Sequence, residues 1–263
     1  MRHFSIAAAG LLLFMSWPIT TQAADLYGGS YKDEPAPAPY VSPFRWTGFY
    51  MGADIGGAWA RGADVSSRCS PTGVCDQQSA FGNVDASSFI GGVHAGYNWN
   101  VAPKWVLGVE GDFSWTSLDG SAAAPDVTTA GLVVAPGGHT WSRDVRWLAS
   151  VRGRLGFNVS PMTLLYFTGG VAWQDADYTA SQTRTPFSTA ATSFSETTTG
   201  YVLGGGLEWA MAKNWVIRGE YLYYSFDGES ASARHSAGPP LKANFDWSDS
   251  DVHSVRAGLS YKF

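Results

Sequence analysis

The chain has 263 residues, 45% of them hydrophobic and only 15% charged, with 17 Lys and Arg against 22 Asp and Glu. A net charge of −5 argues against the basic surface that nucleic-acid binding requires. Nothing after the first two dozen residues approaches the ~18 consecutive apolar residues of a membrane-spanning helix.

In chain order, the first element is "MRHFSIAAAGLLLFMSWPITTQAADL". A basic start, a short apolar run broken by Pro18 and small residues at Ala23 and Ala24 predict a secretory signal peptide over 1–23, not a retained anchor. Residues 24–45, with "EPAPAPYVSP", are too rich in Pro and Ala to pack a core and predict an extended periplasmic segment. The folded unit is expected over 46–263. In an exported chain Cys69 and Cys75, separated by a Pro-Thr-Gly turn, read as a local disulfide; no histidine stands near them to complete a metal site.

From Trp46 onward, alternating apolar and polar residues recur near 48–60, 87–101, 104–116, 144–159, 163–176, 199–211, 214–226 and 252–263, with the odd-numbered residues apolar each time. Period 2 means strands. The gaps alternate: "VAPK", "VSPM" and "MAKN" are tight turns, whereas 61–86, 117–143, 177–198 and 227–251 are long and rich in Ser, Thr, Ala, Gly and Pro. The last run ends at Phe263, still in phase, with Val255, Ala257, Leu259 and Tyr261 on the same face.

Which face points outward decides between a soluble and a membrane barrel. Trp59, Trp99, Trp105, Trp115, Trp147, Trp173, Trp209 and Trp215 all lie on the apolar face and mostly near run ends, as interfacial girdles do. The opposite face mixes long charged side chains with Gly52, Gly56, Gly92, Gly96, Gly108, Gly156 and Gly204, the small-large filling of a narrow lumen. The expected fold is all-β: an eight-stranded antiparallel transmembrane β-barrel with short periplasmic turns and four long extracellular loops. Closure leaves no unpaired edge in the bilayer.

With "WTGFYMGADIGGAW", two Trp-rich hairpins, "GEYLYYSF" and the terminal "RAGLSYKF", the chain resembles the small outer-membrane β-barrel proteins of alphaproteobacteria, described as porin-family or outer-membrane immunogenic proteins. The resemblance covers the whole mature chain. It implies residence in the bacterial outer membrane among its lipids, and insertion by the outer-membrane assembly machinery, with Leu259, Tyr261 and Phe263 as the assembly signal. It also brings in haemin, which some members are described as binding.

The inner face carries Asp54, Glu110, Asp112, Glu208 and Glu220 against Arg146, Arg152, Arg154, Arg218, Arg256 and Lys262. Near-balanced charges in a narrow barrel pair and fill it, because unpaired buried ions are costly. The competing reading is a narrow pore whose charges select ions. Catalysis would require a Ser, a His and an orienting acid together. Of His94, His139, His235 and His253, the first lies on the inner face among Gly and Asn positions, and the serines near His139 and His253 are what Ser-rich loops supply by chance; no nucleophile elbow, His-Glu-x-x-His or phosphate loop occurs. A haemin iron would need His or Tyr, for which His139, His235 and Tyr178 are loop-side candidates. The expectation is a non-enzymatic structural and surface-presenting barrel without cofactor or metal and with an unidentified loop partner. A narrow diffusion porin and a haemin-binding surface protein are the alternatives.

Overall fold

The computed structural model describes residues 44–70, 80–127, 133–184, 188–234, 236 and 242–263. The expected signal peptide, all of the Pro/Ala segment except Phe44 and Arg45, and Cys75 lie outside these, so the Cys69–Cys75 bridge is not among the described features.

Ten strands form one antiparallel sheet: β1 (Gly48–Ser70), β2 (Ala80–Ala102), β3 (Trp105–Val127), β4 (Val133–Ser160), β5 (Thr163–Arg184), β6 (Ser188–Ala210), β7 (Trp215–Phe226), β8 (Glu229–Arg234), β9 (Lys242–Trp247) and β10 (Ser250–Lys262). Eight of them make the ring, β1 to β7 and then β10, closed where β10 pairs with β1 from Tyr50↔Lys262 to Arg61↔Asp251. The expected tight turns join β2 to β3, β4 to β5 and β6 to β7 on one rim. There Phe263 donates its backbone N–H to Phe49 O at 3.0 Å, so the last residue is stitched into the closing seam.

The first difference from the sequence reading concerns the long gaps. Their described residues are mostly strand: β1 to β6 run for 22 to 28 residues, whereas a barrel strand crosses a bilayer in ~9–11. The surplus, about a dozen residues or more at ~3.3 Å each along strands tilted by ~35–45°, carries the walls on the order of 30 Å beyond the membrane. In the fourth gap β8 and β9 form a hairpin whose β9 pairs with the upper end of β1, from Val65↔Trp247 to Ser70↔Lys242. Its other strand, β8, faces the upper half of β6. Among the described residues that junction is held by Ser236 N–H to Thr189 O at 3.0 Å, Thr189 N–H to Ser236 Oγ at 3.2 Å and Thr198 Oγ1 to Glu229 Oε1 at 3.5 Å, not by a ladder.

Along the span the odd-numbered apolar residues face outward as expected: Phe167 is 69% exposed and Val151 58%. Inside, glycines make room for larger groups. A Cβ on Gly52 would stand 2.7 Å from the His94 ring, which lies across it.

Above the span the polarity inverts. Val65, Val84, Leu118, Trp141, Val145, Tyr178, Phe245 and Trp247 are buried inside the extension as an apolar core, while Ser193, Ser195 and Thr179 face out. Two bulges help make the exchange. On β1 the register slips by one between Ala60 and Ala63, so burial passes from even positions (Ala58, Ala60) to odd ones (Val65, Ser67). On β4 it slips between Val145 and Trp147, passing from Leu148, Ser150 and Arg152 to Val145, Arg143 and Trp141. A bulge adds a residue to one strand, and with period 2 a single residue reverses the facing of everything beyond it.

Candidate functional site: the filled lumen and the outer extension

Every ring strand sends a side chain into one buried polar network at mid-barrel. Glu110 on β3 is its hub: Oε1 accepts from Arg152 Nη2 at 2.5 Å, and Oε2 accepts from Tyr50 OH at 2.7 Å, Arg218 Nη1 at 2.8 Å and Arg154 Nη1 at 3.1 Å. Arg152 also reaches Glu220 at 2.9 Å and Asp112 at 3.3 Å. Arg218 makes a two-pronged bond to Asp54, at 2.8 and 2.7 Å, the fork geometry that suits guanidinium to carboxylate. Arg154 pairs with Glu208. Arg256 donates to Asp112 at 3.0 Å and to Tyr224 OH at 2.6 Å. His94 bridges Asp54 and Ser260, at 2.7 Å to each, and Tyr166 donates to Glu220 at 2.9 Å.

Nine of the eleven expected lumen residues are therefore brought together: Asp54, Glu110, Asp112, Arg152, Arg154, Glu208, Arg218, Glu220 and Arg256, all buried. Arg146 is a correction. As the extra residue of the β4 bulge it points outward, 49% exposed, and pairs with Asp175 at 2.7 Å and Asp177 at 3.4 Å on the outside wall. Lys262 is buried at the periplasmic rim, where Nζ donates to Thr47 O at 2.5 Å.

Tyr50, Tyr166 and Tyr224 are network members that the charge-based reading missed. Their even numbers put them on the inner face, which was the available signal. Buried phenols find hydrogen-bond partners, and these three supply the donors that carboxylates lack.

Apolar layers close both ends of the network. Toward the periplasm Trp46, Val106, Leu164, Ala210 and Val216 pack together with Phe44 against them. A recess of about 10 Å³, bounded by Trp46, Tyr50, Asn98, Glu208, Val216, Ser260 and Lys262, is room for about one water. Toward the outside Ile90, Leu148, Val202, Leu222 and Val252 lead into the core of the extension.

The loop-side haemin candidates are corrected by the extension's inverted polarity. His139 is buried, its Nδ1 2.6 Å from Ser67 Oγ and its ring stacked on Trp141. Tyr178 is buried against Phe194 and Trp247. Neither is offered to the exterior, and His235 lies outside the described residues. His253 sits on the outer wall, bonded to Tyr221 OH at 2.7 Å and stacked on Trp59, an aromatic girdle position. In the extension, burial pushes the Tyr178 phenol above its ordinary range and lowers the Arg143 guanidinium.

An apolar outer band, a charge-filled interior and short turns on one rim define a small closed β-barrel of outer-membrane type. The chain belongs to the family of the outer membrane protein beta-barrel domain, whose model matches residues 36–263, and it resides in the bacterial outer membrane with its alphaproteobacterial relatives. It is 33% identical over 236 residues to the 31 kDa outer-membrane immunogenic protein of Brucella melitensis, covering 89% of this chain and 90% of that protein. It is 29% identical over 232 residues to the 22 kDa outer membrane protein of Rhizobium leguminosarum, covering 86% and 82%. Among solved structures it is similar in fold to the outer membrane protein OprG from Pseudomonas aeruginosa, with a TM-score of 0.50 and 15% identity over 84% of this chain and 98% of that one.

Proposed function

We propose that this protein is a structural and surface-presenting barrel that contributes to the integrity of the envelope and passes no solute. Its span anchors in outer-membrane lipid, and its walls continue outward as a stiff β-structured extension that meets the surroundings. The single observation that carries the reading is the wall-to-wall network around Glu110, with apolar layers on either side of it. Ions would have to break several charge-assisted bonds in a medium that does not replace them.

Two features favour presentation at the surface. The relatives' names describe outer-membrane immunogenic proteins, and the extension carries a polar outer face over its own core. The reading is non-enzymatic. On the periplasmic side, β10 and the residue that follows it present Leu259, Tyr261 and Phe263 in phase on the outer face, the row that the assembly machinery would engage.

Single-channel recording of the refolded protein in a planar bilayer tests the reading. A quiet bilayer with insertion verified separately is expected; steady ion-selective steps that change on substitution of Arg152 or Arg218 would replace it with a narrow diffusion pore.

A further inference from the structure

The network in the span pairs each of its four guanidiniums with at least one of five carboxylates; the guanidinium inside the extension has no such pairing. Arg143 on β4 is only 5% exposed and turns inward because of the bulge below it. Among the described residues no carboxylate forms an ion pair with it. Its guanidinium donates from Nη2 to Gln174 Oε1 at 2.9 Å and lies 5.9 Å from the centre of the Tyr178 ring. Its Nε has no partner among the described residues.

The neighbouring groups deepen the imbalance. Gln174, fully buried, has spent its oxygen on Arg143 and leaves Nε2 without an acceptor. The Trp247 indole, packed edge-on against Tyr178 at 5.3 Å, leaves Nε1 without an acceptor, as does the Trp141 indole two residues along β4 from Arg143. Among the described residues these four unmet groups are N–H donors, one of them fully charged, and they outnumber the two unmet oxygens of the segment, Gln182 Oε1 and Asp144 Oδ1, neither of which is bonded to Arg143. A buried cation and unmet donors each cost free energy unless something negative joins them.

We propose that the interior of the extension holds a small inorganic anion at Arg143, chloride being the chemistry that fits best. One uncompensated charge calls for a monoanion. Size points the same way: the two larger surface recesses, about 490 and 420 Å³, are lined by Asp227, Glu229 and Asp249 and by Asp64, Phe81 and Asp246, so neither offers Arg143 room for an organic acid. The route inward is the junction of β6 with β8, which lacks a ladder. The competing counter-charge is Glu229 on β8, held at that junction by Thr198.

Two measurements on the refolded protein decide the matter. Urea unfolding, followed by near-ultraviolet circular dichroism of the buried tryptophans, is run in sodium chloride and in sodium gluconate at equal ionic strength. Chloride should raise the midpoint of the native chain, and Arg143→Met should remove the difference. Equal midpoints in the native chain, or an equal chloride effect in Arg143→Met, overturn the proposal. Crystals of the native protein grown in sodium bromide need no variant. An anomalous peak within hydrogen-bond distance of Arg143 is expected; an ordered Arg143 without a peak, or with Glu229 seated on it, overturns the proposal.

Discussion

The lower and upper halves of the same strands are built on opposite plans. In the span, Val151 and Phe167 face out and Glu110 and Arg152 face in; in the extension, Ser193 and Asp177 face out and Val145 and Trp141 face in. Backbone pairing is continuous through the change, with β5 and β6 in unbroken register from Thr163↔Trp209 to Arg184↔Ser188. Hydrogen-bonded sheet is thus indifferent to which face is apolar, and the surrounding solvent, hydrocarbon below and water above, selects the side-chain pattern. The lumen of the span holds charge because lipid already covers the apolar face. The extension must bury its apolar face internally, as any soluble barrel does.

The largest disruption of that contrast is expected from deleting Arg146. Removing the extra residue of the β4 bulge re-phases the strand, turning Val145, Arg143 and Trp141 outward. Trypsin should then digest the extension, while the span keeps its folded mobility on unheated gels. Next in size, Arg152→Met strands Glu110, Glu220 and Asp112 without their shared partner. Breaking a buried ion cluster from one side costs ~3–5 kcal/mol, read as a lower urea midpoint in lipid vesicles. An unchanged midpoint would show that the network does not hold the barrel.

The contrast sharpens with one lysine placed on each half's outward face. Val151→Lys meets hydrocarbon near mid-span and should cost ~2–4 kcal/mol. Ala191→Lys, exposed on the extension, should stay within ~0.5 kcal/mol. Equal effects would mean that the lipid boundary lies elsewhere.

Much of the span was legible in the sequence because lipid and lumen impose maximal contrast on alternate residues. Strand phase, turn rim, tryptophan girdles and nine lumen ions all follow from odd and even positions. Arg146 misled because the bulge it forms has no local signature: "SRDVRWLAS" contains no Gly or Pro to mark the slip. The extension was illegible for a different reason. Its inward positions are often alanines, such as Ala176, Ala180, Ala190 and Ala243, facing Ser and Thr outward. That alternation has little hydropathic amplitude, although Thr is well suited to strands. His139 and Tyr178 were read as exposed because the segments holding them were read as loops.

The continuous walls of the extension have a consequence for whatever touches the cell from outside. Thr140 bonds Ser181 across β4 and β5 at 2.7 Å, and Asp177 bonds Ser195 across β5 and β6. Neighbours on that surface are stitched from separate threads of the chain, so its texture is woven, and a peptide copied from any one stretch reproduces a single thread. An antibody or receptor shaped to the cloth should lose its target when the barrel is boiled and recover it when the barrel refolds.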